Sequence, residues 1–412
     1  MERDRRRVLV LAYYFPPIGG AGVQRTLKFV KYLAELGWDA TVVSTRSRVY
    51  GARDESLLAE VPRTTRVTRT VAFPLARYLS YALYRLRLMR LRSYVLWPDG
   101  GLGWMPFAFL AGLRAVRRDR PEVLFSTSAP YGGHLVALLL ARMTGLPWVA
   151  DFRDEWAANP YLADQPRLLK ALSARAERAI TRNATKVLVA ADYFRLGGAP
   201  HGDPRRTEIV NGVDEADFAQ ISTGPAPDRF VLAHVGSVYE IRDPSPALRL
   251  LARLAEDGVV DRDRIEVRLV GNVWIPGFVP PPGIEVTMTG YVDHARAIQE
   301  MGTASVLLLY IAPGDLAPSG KLFEYLASGR PVLCLAPEAN LASRLVVEWE
   351  AGSVADPRDE AAIEEALLGL WRRWEANGLP DQDDVRRRAL ERYSRRSTAA
   401  QLATVLDEAR GA

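Results

Sequence analysis

The hydrophobic pattern alternates along the chain between two kinds of segment. Short runs that are apolar throughout, such as residues 8–12 and 40–44, are typical of strands buried on both faces of a parallel sheet. Between these two runs, Leu27, Val30 and Leu33 recur three residues apart, as on one face of an amphipathic helix that ends near Gly37. The pattern therefore predicts strands and helices in alternation.

The alternation occurs twice, and it restarts after the segment of residues 211–214. The first series has apolar runs at residues 8–12, 40–44, 123–126, 148–150 and 186–189, and the second has them at 230–235, 266–270 and 306–310. Repeated strand–helix units predict parallel sheets with right-handed crossovers. We therefore expect an α/β protein with two doubly wound, Rossmann-like domains that face each other across a cleft. The first domain is expected to span residues 1–205 and the second residues 206–385. A terminal helix of residues 386–412 is expected to pack back toward the first domain.

Composition agrees with a two-domain soluble protein. A chain of 412 residues exceeds the size at which a single core stops growing. A single cysteine, Cys334, excludes an intrachain disulfide, and with four scattered histidines it forms no zinc pattern. The sequence has no apolar run of transmembrane length and no convincing signal peptide, so it predicts a cytoplasmic location.

Charge divides the chain into two chemically distinct halves. Residues 1–200 hold 31 Lys and Arg against 16 Asp and Glu, whereas residues 201–412 hold 23 against 33. The basic half indicates an anionic partner, such as a lipid surface or a phosphorylated substrate. Nucleic acid is not expected, because the basic half contains no recognised nucleic-acid-binding module.

Lys321 is the strongest candidate for chemistry. Only five of the 54 basic residues are lysines, and Lys321 is the only lysine after residue 200. Ser319 and Gly320 open a predicted helix whose first N–H groups can bind an anion, and Lys321 and Glu324 share a face of it. A cation for phosphate beside a carboxylate for ribose hydroxyls predicts a nucleotide diphosphate site. The alternative is a helical salt bridge of little energetic value.

Two glycine loops also follow predicted strands, where ligands of doubly wound sheets bind. Gly19, Gly20 and Gly22 open the first helix and allow close approach of an anion or sugar, but their spacing is not that of a dinucleotide-binding loop. In the second series, Gly236 and Ser237 precede Arg242. Arg242 is a candidate ligand for a diphosphate, unless it pairs with the adjacent Asp243.

The remaining candidates lie in the first series. His134 begins a helix, where the dipole favours a neutral ring, and the sequence leaves open whether it is structural or contacts substrate. Asp151 and Asp154 resemble metal ligands, but they lie beside Arg153 and are equally well explained as paired carboxylates. We assign no metal to them.

Together these motifs resemble those of the retaining glycosyltransferases of family 4, which have the GT-B fold. The resemblance covers nearly the whole chain and rests on four segments: residues 14–22, 211–214, 236–242 and 319–331. The last of these, from Ser319 to Pro331, is the strongest match. Each segment alone is weak, but the four in this order are specific.

The resemblance implies a nucleotide-sugar donor bound mostly by the second domain and an acceptor bound mostly by the first, with no metal. Arg242 and Lys321 would hold the diphosphate, Glu324 the ribose, and His134 would lie near the donor sugar. Further donor contacts are expected from Gly236, Ser237, Ser319 and Gly320. Many members carry a second glutamate eight positions before the one at Glu324, but here that position is Leu316. Asp315 or backbone N–H groups would then contact the sugar.

Two other functions remain open from the sequence. A nucleotide-sugar epimerase of the same architecture would convert donor without an acceptor, and a non-catalytic protein would bind a nucleotide sugar without transfer. As a transferase, the protein would act in the biosynthesis of cell-surface polysaccharide, glycolipid or a secondary metabolite.

One segment bears on the acceptor. In residues 73–97, five arginines (Arg77, Arg85, Arg87, Arg90 and Arg92) alternate with Leu, Tyr and Met. A basic amphipathic segment of this kind can lie on an anionic membrane, which would favour a lipid-linked acceptor at the inner face. The alternative is a solvated helix that covers the edge of the first domain.

Overall fold

The chain forms two compact units in the computed structural model, which describes residues 5–46, 53–73, 75–159, 162, 165–219, 221, 228–239, 243–312, 320–380 and 382–412. The first unit comprises residues 1–211 and 395–412, and the second comprises residues 212–394. The division falls after residue 211 rather than after 205, because the strand Arg206–Glu208 pairs with the strand Lys186–Val189 and so extends the first sheet.

The first unit contains a seven-stranded parallel sheet in the order β3-β2-β1-β4-β5-β6-β7. Its strands are β1 Arg6–Leu11, β2 Trp38–Thr45, β3 Arg66–Thr70, β4 Val123–Thr127, β5 Trp148–Phe152, β6 Lys186–Val189 and β7 Arg206–Glu208. Its helices up to residue 183 are α1 Ala21–Glu35, α2 Leu75–Arg85, α3 Met89–Leu96, α4 Met105–Asp119, α5 Gly132–Thr144 and α6 Arg167–Asn183. The winding reverses between β1 and β4.

Both faces of this sheet are buried, as the continuous apolar runs predicted. Val8 and Val10 of β1 pack into one core cluster with α1, whereas Leu9 and Leu11 pack into the opposite cluster with α4 and α5. Successive residues of a strand point to opposite faces, so a strand covered by helices on both sides must be apolar at every position.

The second unit repeats this winding with a six-stranded parallel sheet in the order β12-β10-β8-β13-β14-β15 and a two-stranded β11-β9 sheet. Its strands are β8 Phe230–Val235, β9 Val238–Tyr239, β10 Ile265–Val270, β11 Val273–Trp274, β12 Glu285–Gly290, β13 Val306–Tyr310, β14 Val332–Leu335 and β15 Gly352–Ala355. Its helices are α7 Glu215–Phe218, α8 Ser245–Glu256, α9 His294–Gly302, α10 Gly320–Ser328, α11 Leu341–Glu348, α12 Glu360–Glu375 and α13 Asp383–Tyr393. The winding reverses between β8 and β13, so the expected pair of doubly wound units is confirmed.

The C-terminal segment forms two helices rather than the single one expected for residues 386–412. Helix α13 belongs to the second unit, and α14, Arg395–Arg410, belongs to the first. The chain is extended at Ser394, between the two helices. Leu402 and Leu406 of α14 are fully buried in the core cluster that also contains Leu27 of α1. None of the described helices combines the length and the apolar character needed to cross a bilayer.

Candidate anion-binding site

Two loops of the second unit meet where its sheet reverses winding. Gly236 and Ser237 follow β8, and α10 begins at Gly320 in the connection that follows β13, the strand beside β8. In doubly wound sheets this reversal opens a crevice at the carboxyl ends of the strands, where ligands bind. Gly236, Ser237 and Gly320 therefore lie at the position where the fold favours a ligand.

The half-buried side chain of Lys321 lies against the Gly236–Ser237 loop. Its Nζ is 3.0 Å from Nε2 of His234 and 3.4 Å from the carbonyl oxygen of Ser237. Two acceptors of the protein thus fix the ammonium group at the end of β8. A flexible lysine side chain held in this way becomes a point charge of defined position.

The hydrogen bonds of His234 assign its tautomer. The ring is buried, and its Nδ1 lies 2.9 Å from the carbonyl oxygen of Leu308 in β13. Because a carbonyl can only accept, Nδ1 carries the proton, and the lone pair of Nε2 accepts from the ammonium of Lys321. The histidine is therefore neutral, and it orients the ammonium without adding a second positive charge.

Gly236 is required by the close approach of the lysine. Its φ is +125°, and a Cβ at this position would overlap Cε of Lys321 and lie 2.6 Å from Nζ. Gly271 supports the loop from the other side, since a Cβ there would lie 2.8 Å from the carbonyl carbon of Gly236. The two glycines let the backbone and the ammonium approach within contact distance, which any larger residue would prevent.

Tyr325 fixes helix α10 relative to strand β8. Its hydroxyl accepts a hydrogen bond from the Val235 N–H at 2.8 Å and lies 3.3 Å from the Val235 carbonyl oxygen. Burial raises the pKa of Tyr325, so the phenol stays protonated. Because Tyr325 is one helical turn after Lys321, this anchor also fixes the position at which the lysine side chain leaves the helix.

The structure describes only some of the other candidate site residues of the second unit. Gly320 is exposed at the start of α10, and Glu324 is half-buried, three residues after Lys321. Arg242, Asp315 and Ser319 lie outside the described residues, and their expected roles remain predictions. Within the described part of the chain, no group of three or more His, Cys, Asp or Glu side chains is placed to hold a metal ion.

In the first unit, His134 lies inside the core. Its side chain is fully buried, Nδ1 is 2.8 Å from Oγ of Ser126, and the ring packs 4.6 Å from that of Phe152. Burial lowers the pKa of His134 to about 4, with the nearby Asp151 carboxylate opposing the shift, so the imidazole is neutral at pH 7. Its Nε2 is buried and has no hydrogen-bond partner among the described residues. With no exposed surface, the ring lies in the core beside Phe152, and its expected catalytic role remains a prediction.

Asp151 is one half of a buried ion pair. Nη2 of Arg25 lies 2.8 Å from one carboxylate oxygen, and Nε lies 3.1 Å from the other. The hydroxyl of Thr127 donates to the same carboxylate at 2.7 Å. The sequence had suggested pairing near Arg153, but the guanidinium of Arg153 donates to the Gly22 carbonyl at 2.7 Å. Asp154 is exposed.

At the start of α1, Gly20 is exposed with open space around it, whereas Gly19 and Gly22 are packed against neighbouring residues. Gly20, with φ +98°, is the N-cap residue, and no side chain caps the first turn. Gly19 is buried, and a Cβ at Gly22 would lie 3.3 Å from the ring of Tyr14. The loop therefore offers backbone groups at the carboxyl end of β1, as an anion or a sugar would need.

Sequence reasoning missed two residues that the structure brings to these centres. His234 was only one of four scattered histidines, although it is the single polar residue of an otherwise apolar strand and lies two positions before Gly236. Arg25 was one charge on a predicted helix, although its side chain is 2% exposed and pairs with Asp151. A polar residue in an otherwise apolar strand is the signal that marks His234, whereas Arg25 lies among other polar residues of an amphipathic helix and has no such signal.

Comparison with known proteins agrees with this geometry. A family model described as a glycosyl transferase 4-like domain matches residues 19–210. Slightly less than half of the chain is thus similar to this family of glycosyltransferases. The match agrees with the resemblance carried by the sequence motifs, and the two parallel sheets agree with the GT-B fold.

Two curated relatives are each named D-inositol 3-phosphate glycosyltransferase. The protein of Geodermatophilus obscurus is 32% identical over 125 residues, which cover 28% of this chain and 26% of that protein. The protein of Actinosynnema mirum is 28% identical over 251 residues, which cover 56% and 60%. The chain thus matches roughly a quarter of the length of the first relative and three fifths of the length of the second.

Solved structures share the fold over nearly the whole length. HepE of Anabaena, in complex with UDP, has a TM-score of 0.62 at 12% identity, with 98% of this chain and 100% of that chain covered. A glycosyltransferase of Rickettsia africae has a TM-score of 0.64 at 10% identity, with 98% and 99% covered. At this identity the likeness concerns the fold alone.

Proposed function

We propose that the protein transfers a sugar from a nucleotide diphosphate sugar to an acceptor hydroxyl, with retention and without a metal ion. The observation that carries the proposal is the Lys321–His234 pair at the winding reversal of the second unit. There, an ammonium group is held by a neutral imidazole at 3.0 Å and lies against a glycine loop. A site of this kind suits a phosphate, because it presents a localised charge beside backbone that a ligand can approach closely.

The charge of Lys321 would act on the leaving group. As the bond from the sugar to the diphosphate breaks, negative charge develops on the phosphate oxygens, and a preorganised cation stabilises that charge more than it stabilises the ground state. Arg242, by its place in the motif, would supply a second cation. The departing phosphate would accept the acceptor's proton, so that no protein base is required and both groups lie on one face of the sugar, which gives retention.

Support for the donor class comes from the family and from the neighbouring structure with UDP. We propose UDP-sugars as the first donors to test, with Glu324 binding the ribose hydroxyls. The sugar itself would be contacted by Asp315 or by backbone N–H groups near the start of α10.

For the acceptor, the names of the two curated relatives indicate a phosphorylated polyol. We propose D-inositol 3-phosphate as the first acceptor to test, with its phosphate recognised by the basic first unit. Residues 1–200 hold 31 Lys and Arg against 16 Asp and Glu, which fits an anionic acceptor.

The decisive experiment is calorimetric titration of UDP, GDP, ADP and TDP in the presence of a chelator. The wild type is compared with Lys321→Ala and with Lys186→Ala, a lysine of the first unit that pairs with Glu408. We expect one nucleotide to bind the wild type and Lys186→Ala equally and Lys321→Ala at least tenfold more weakly. No binding by any of the four nucleotides, or equal binding by all three proteins, would contradict the proposal.

Product analysis then separates transfer from the two alternatives. With the donor selected by calorimetry, a transferase releases nucleotide diphosphate only when acceptor is present and conserves the anomeric configuration. An epimerase would convert the donor without an acceptor, and a non-catalytic protein would bind nucleotide and release nothing. Either of these two results would overturn the proposed reaction while leaving the site intact.

A further inference from the structure

Helices α2 and α3 form a projection from the first unit that is fixed at both ends. At one end, the Phe73 N–H donates to the Gly103 carbonyl at 2.9 Å. At the other end, Nε1 of Trp97 donates to Oγ of Ser173 at 3.1 Å, and the Trp97 ring stacks on Trp156. The two helices are therefore a built part of the unit rather than a loose excursion of the chain.

The surface of this projection is strongly apolar. Nine large side chains between residues 73 and 94 are between 43% and 69% exposed, which is more than a third of all such side chains that the structure describes. They are Phe73, Tyr78, Leu79, Tyr81, Tyr84, Leu86, Leu88, Leu91 and Tyr94. Single exposed apolar residues are ordinary, but a cluster of this density marks an interaction surface. The sequence alternative of a helix that only covers the domain edge is disfavoured, since these side chains point outward.

The charge of the same region has one sign. Residues 61–98 contain eight arginines and not a single Asp or Glu. Arg85 and Arg87 are exposed within the apolar surface. Four of the nine exposed apolar residues are tyrosines, which favour the boundary between hydrocarbon and water. Arginine, tyrosine and leucine on short surface helices are the composition of segments that lie in the head-group region of a bilayer.

A second basic feature adjoins this surface. A groove of about 310 Å³ between β3 and α4 is lined by Val71, Phe107 and Leu110 and by four arginines, Arg46, Arg69, Arg114 and Arg118. The side chains of Arg46 and Arg114 form no hydrogen bond or ion pair with the residues that the structure describes. Apolar walls with unneutralised arginines fit an acyl chain beside an anionic head group.

We propose that helices α2 and α3 dock the protein on a bilayer of anionic phospholipid, with arginines contacting the head groups. The apolar residues enter the interfacial region, and residues 73–97, which contain five arginines and no Asp or Glu, contribute charge of one sign. A folded protein partner with an apolar groove would not require this one-signed charge. The proposal goes beyond sugar transfer and does not depend on it.

The test is co-sedimentation of the full chain with large unilamellar vesicles. One set is phosphatidylcholine alone, and the other is an equimolar mixture of phosphatidylcholine and phosphatidylglycerol. We expect binding to the anionic vesicles that weakens as salt is added, and little binding to neutral ones, since attraction between surface charges is screened within a Debye length. Absence of binding to anionic vesicles at low salt would overturn the proposal.

Two variants separate the apolar contribution from the electrostatic one. Arg85→Gln with Arg87→Gln should weaken partitioning about 30-fold, at the usual contribution of a basic residue near an anionic surface. Tyr78→Ser with Tyr81→Ser should weaken it by a similar factor through lost interfacial burial. All four side chains are exposed, so thermal unfolding should be unchanged in both variants.

Matched controls come from other surfaces of the same unit. Arg175→Gln with Arg182→Gln removes two exposed arginines of α6, and Leu139→Ser with Met143→Ser removes two exposed apolar residues of α5. We expect both controls to partition like the wild type. If they weaken binding as much as the α2 variants do, the interaction is a general property of a basic protein and the assignment to α2 and α3 is wrong.

Discussion

The two units have the same winding, and each places a histidine and a cation at the reversal of its sheet, but the two centres differ in accessibility. In the first unit, Arg25 and Asp151 are at most 2% exposed and satisfy each other within the core. In the second, the ammonium of Lys321 is half-buried and held by His234 against a glycine loop. In the first arrangement both charges are buried, whereas in the second the ammonium is half-buried. The surroundings of the winding reversal thus form part of the core in one unit and remain partly accessible in the other.

This difference can be tested because the two kinds of centre respond to substitution in opposite ways. Removing one partner of a buried pair leaves an uncompensated charge in the core, so that stability falls. Removing a half-buried cation that binds a ligand leaves the fold intact, so that affinity and turnover fall.

The largest effect is expected for Asp151→Ala. The substitution leaves the Arg25 guanidinium buried without its carboxylate, and removal of one partner of such a pair costs about 3–5 kcal/mol. Urea unfolding measures the loss, and hydrogen exchange followed by mass spectrometry should locate it in residues 1–211. The control Asp356→Ala breaks a solvent-accessible pair with the exposed Arg358 and a local turn hydrogen bond, and it should change stability by about 1 kcal/mol or less. An equal loss of protection in both units would contradict a role confined to the first.

His134 should make the stability of the protein depend on pH. Burial lowers its pKa from 6.5 to about 4, so between these values the unfolded chain binds a proton that the folded chain does not. The free energy of unfolding is therefore highest above pH 6.5. It falls as the pH is lowered toward 4, by about 3 kcal/mol in total. The free energy of unfolding is measured for the wild type and for His134→Gln at pH 7 and at pH 4. The difference between the two proteins should be smaller at pH 4 by this amount. If the difference in stability between the two proteins were the same at both pH values, the imidazole would be in contact with water.

Both units show how much of the structure could be predicted from the sequence. The apolar runs predicted the strands that helices cover on both faces, and the two series of strand–helix units predicted the two sheets. The edge strands β3, β7 and β12 were not predicted, because they are only partly buried and have no continuous apolar run. Lys321 was identifiable since its glycine and helix-start neighbours are local in sequence. The His234–Lys321 and Arg25–Asp151 pairs were not predictable, because each joins residues 87 or 126 positions apart that only the completed sheet brings together.

Lys321→Ala should lower turnover by 100-fold or more, the scale of losing a charge partner of the transition state. Lys321→Arg should restore only part of this, since a planar guanidinium does not fit the space that Gly236 leaves for a compact ammonium. The measurement is the steady-state rate of nucleotide diphosphate release, with thermal unfolding recorded for each variant. A near-normal rate for Lys321→Ala would remove the lysine from the reaction, and a large drop in unfolding temperature would make it structural like Asp151.

The smallest effect is expected for His234, which acts through Lys321. His234→Leu removes the acceptor that orients the ammonium, so nucleotide diphosphate affinity should fall about tenfold, as for the loss of a hydrogen bond to a charged group. His234→Gln keeps both an acceptor for Lys321 and a donor for the Leu308 carbonyl and should retain most of the affinity. Calorimetry measures the nucleotide diphosphate affinity of the wild type and of the two variants. If the histidine were purely structural, both variants would unfold more easily but would bind the nucleotide with the same affinity as each other. In the Lys321→Ala background, His234→Leu should cause no further loss of affinity, since the group that it orients is already absent.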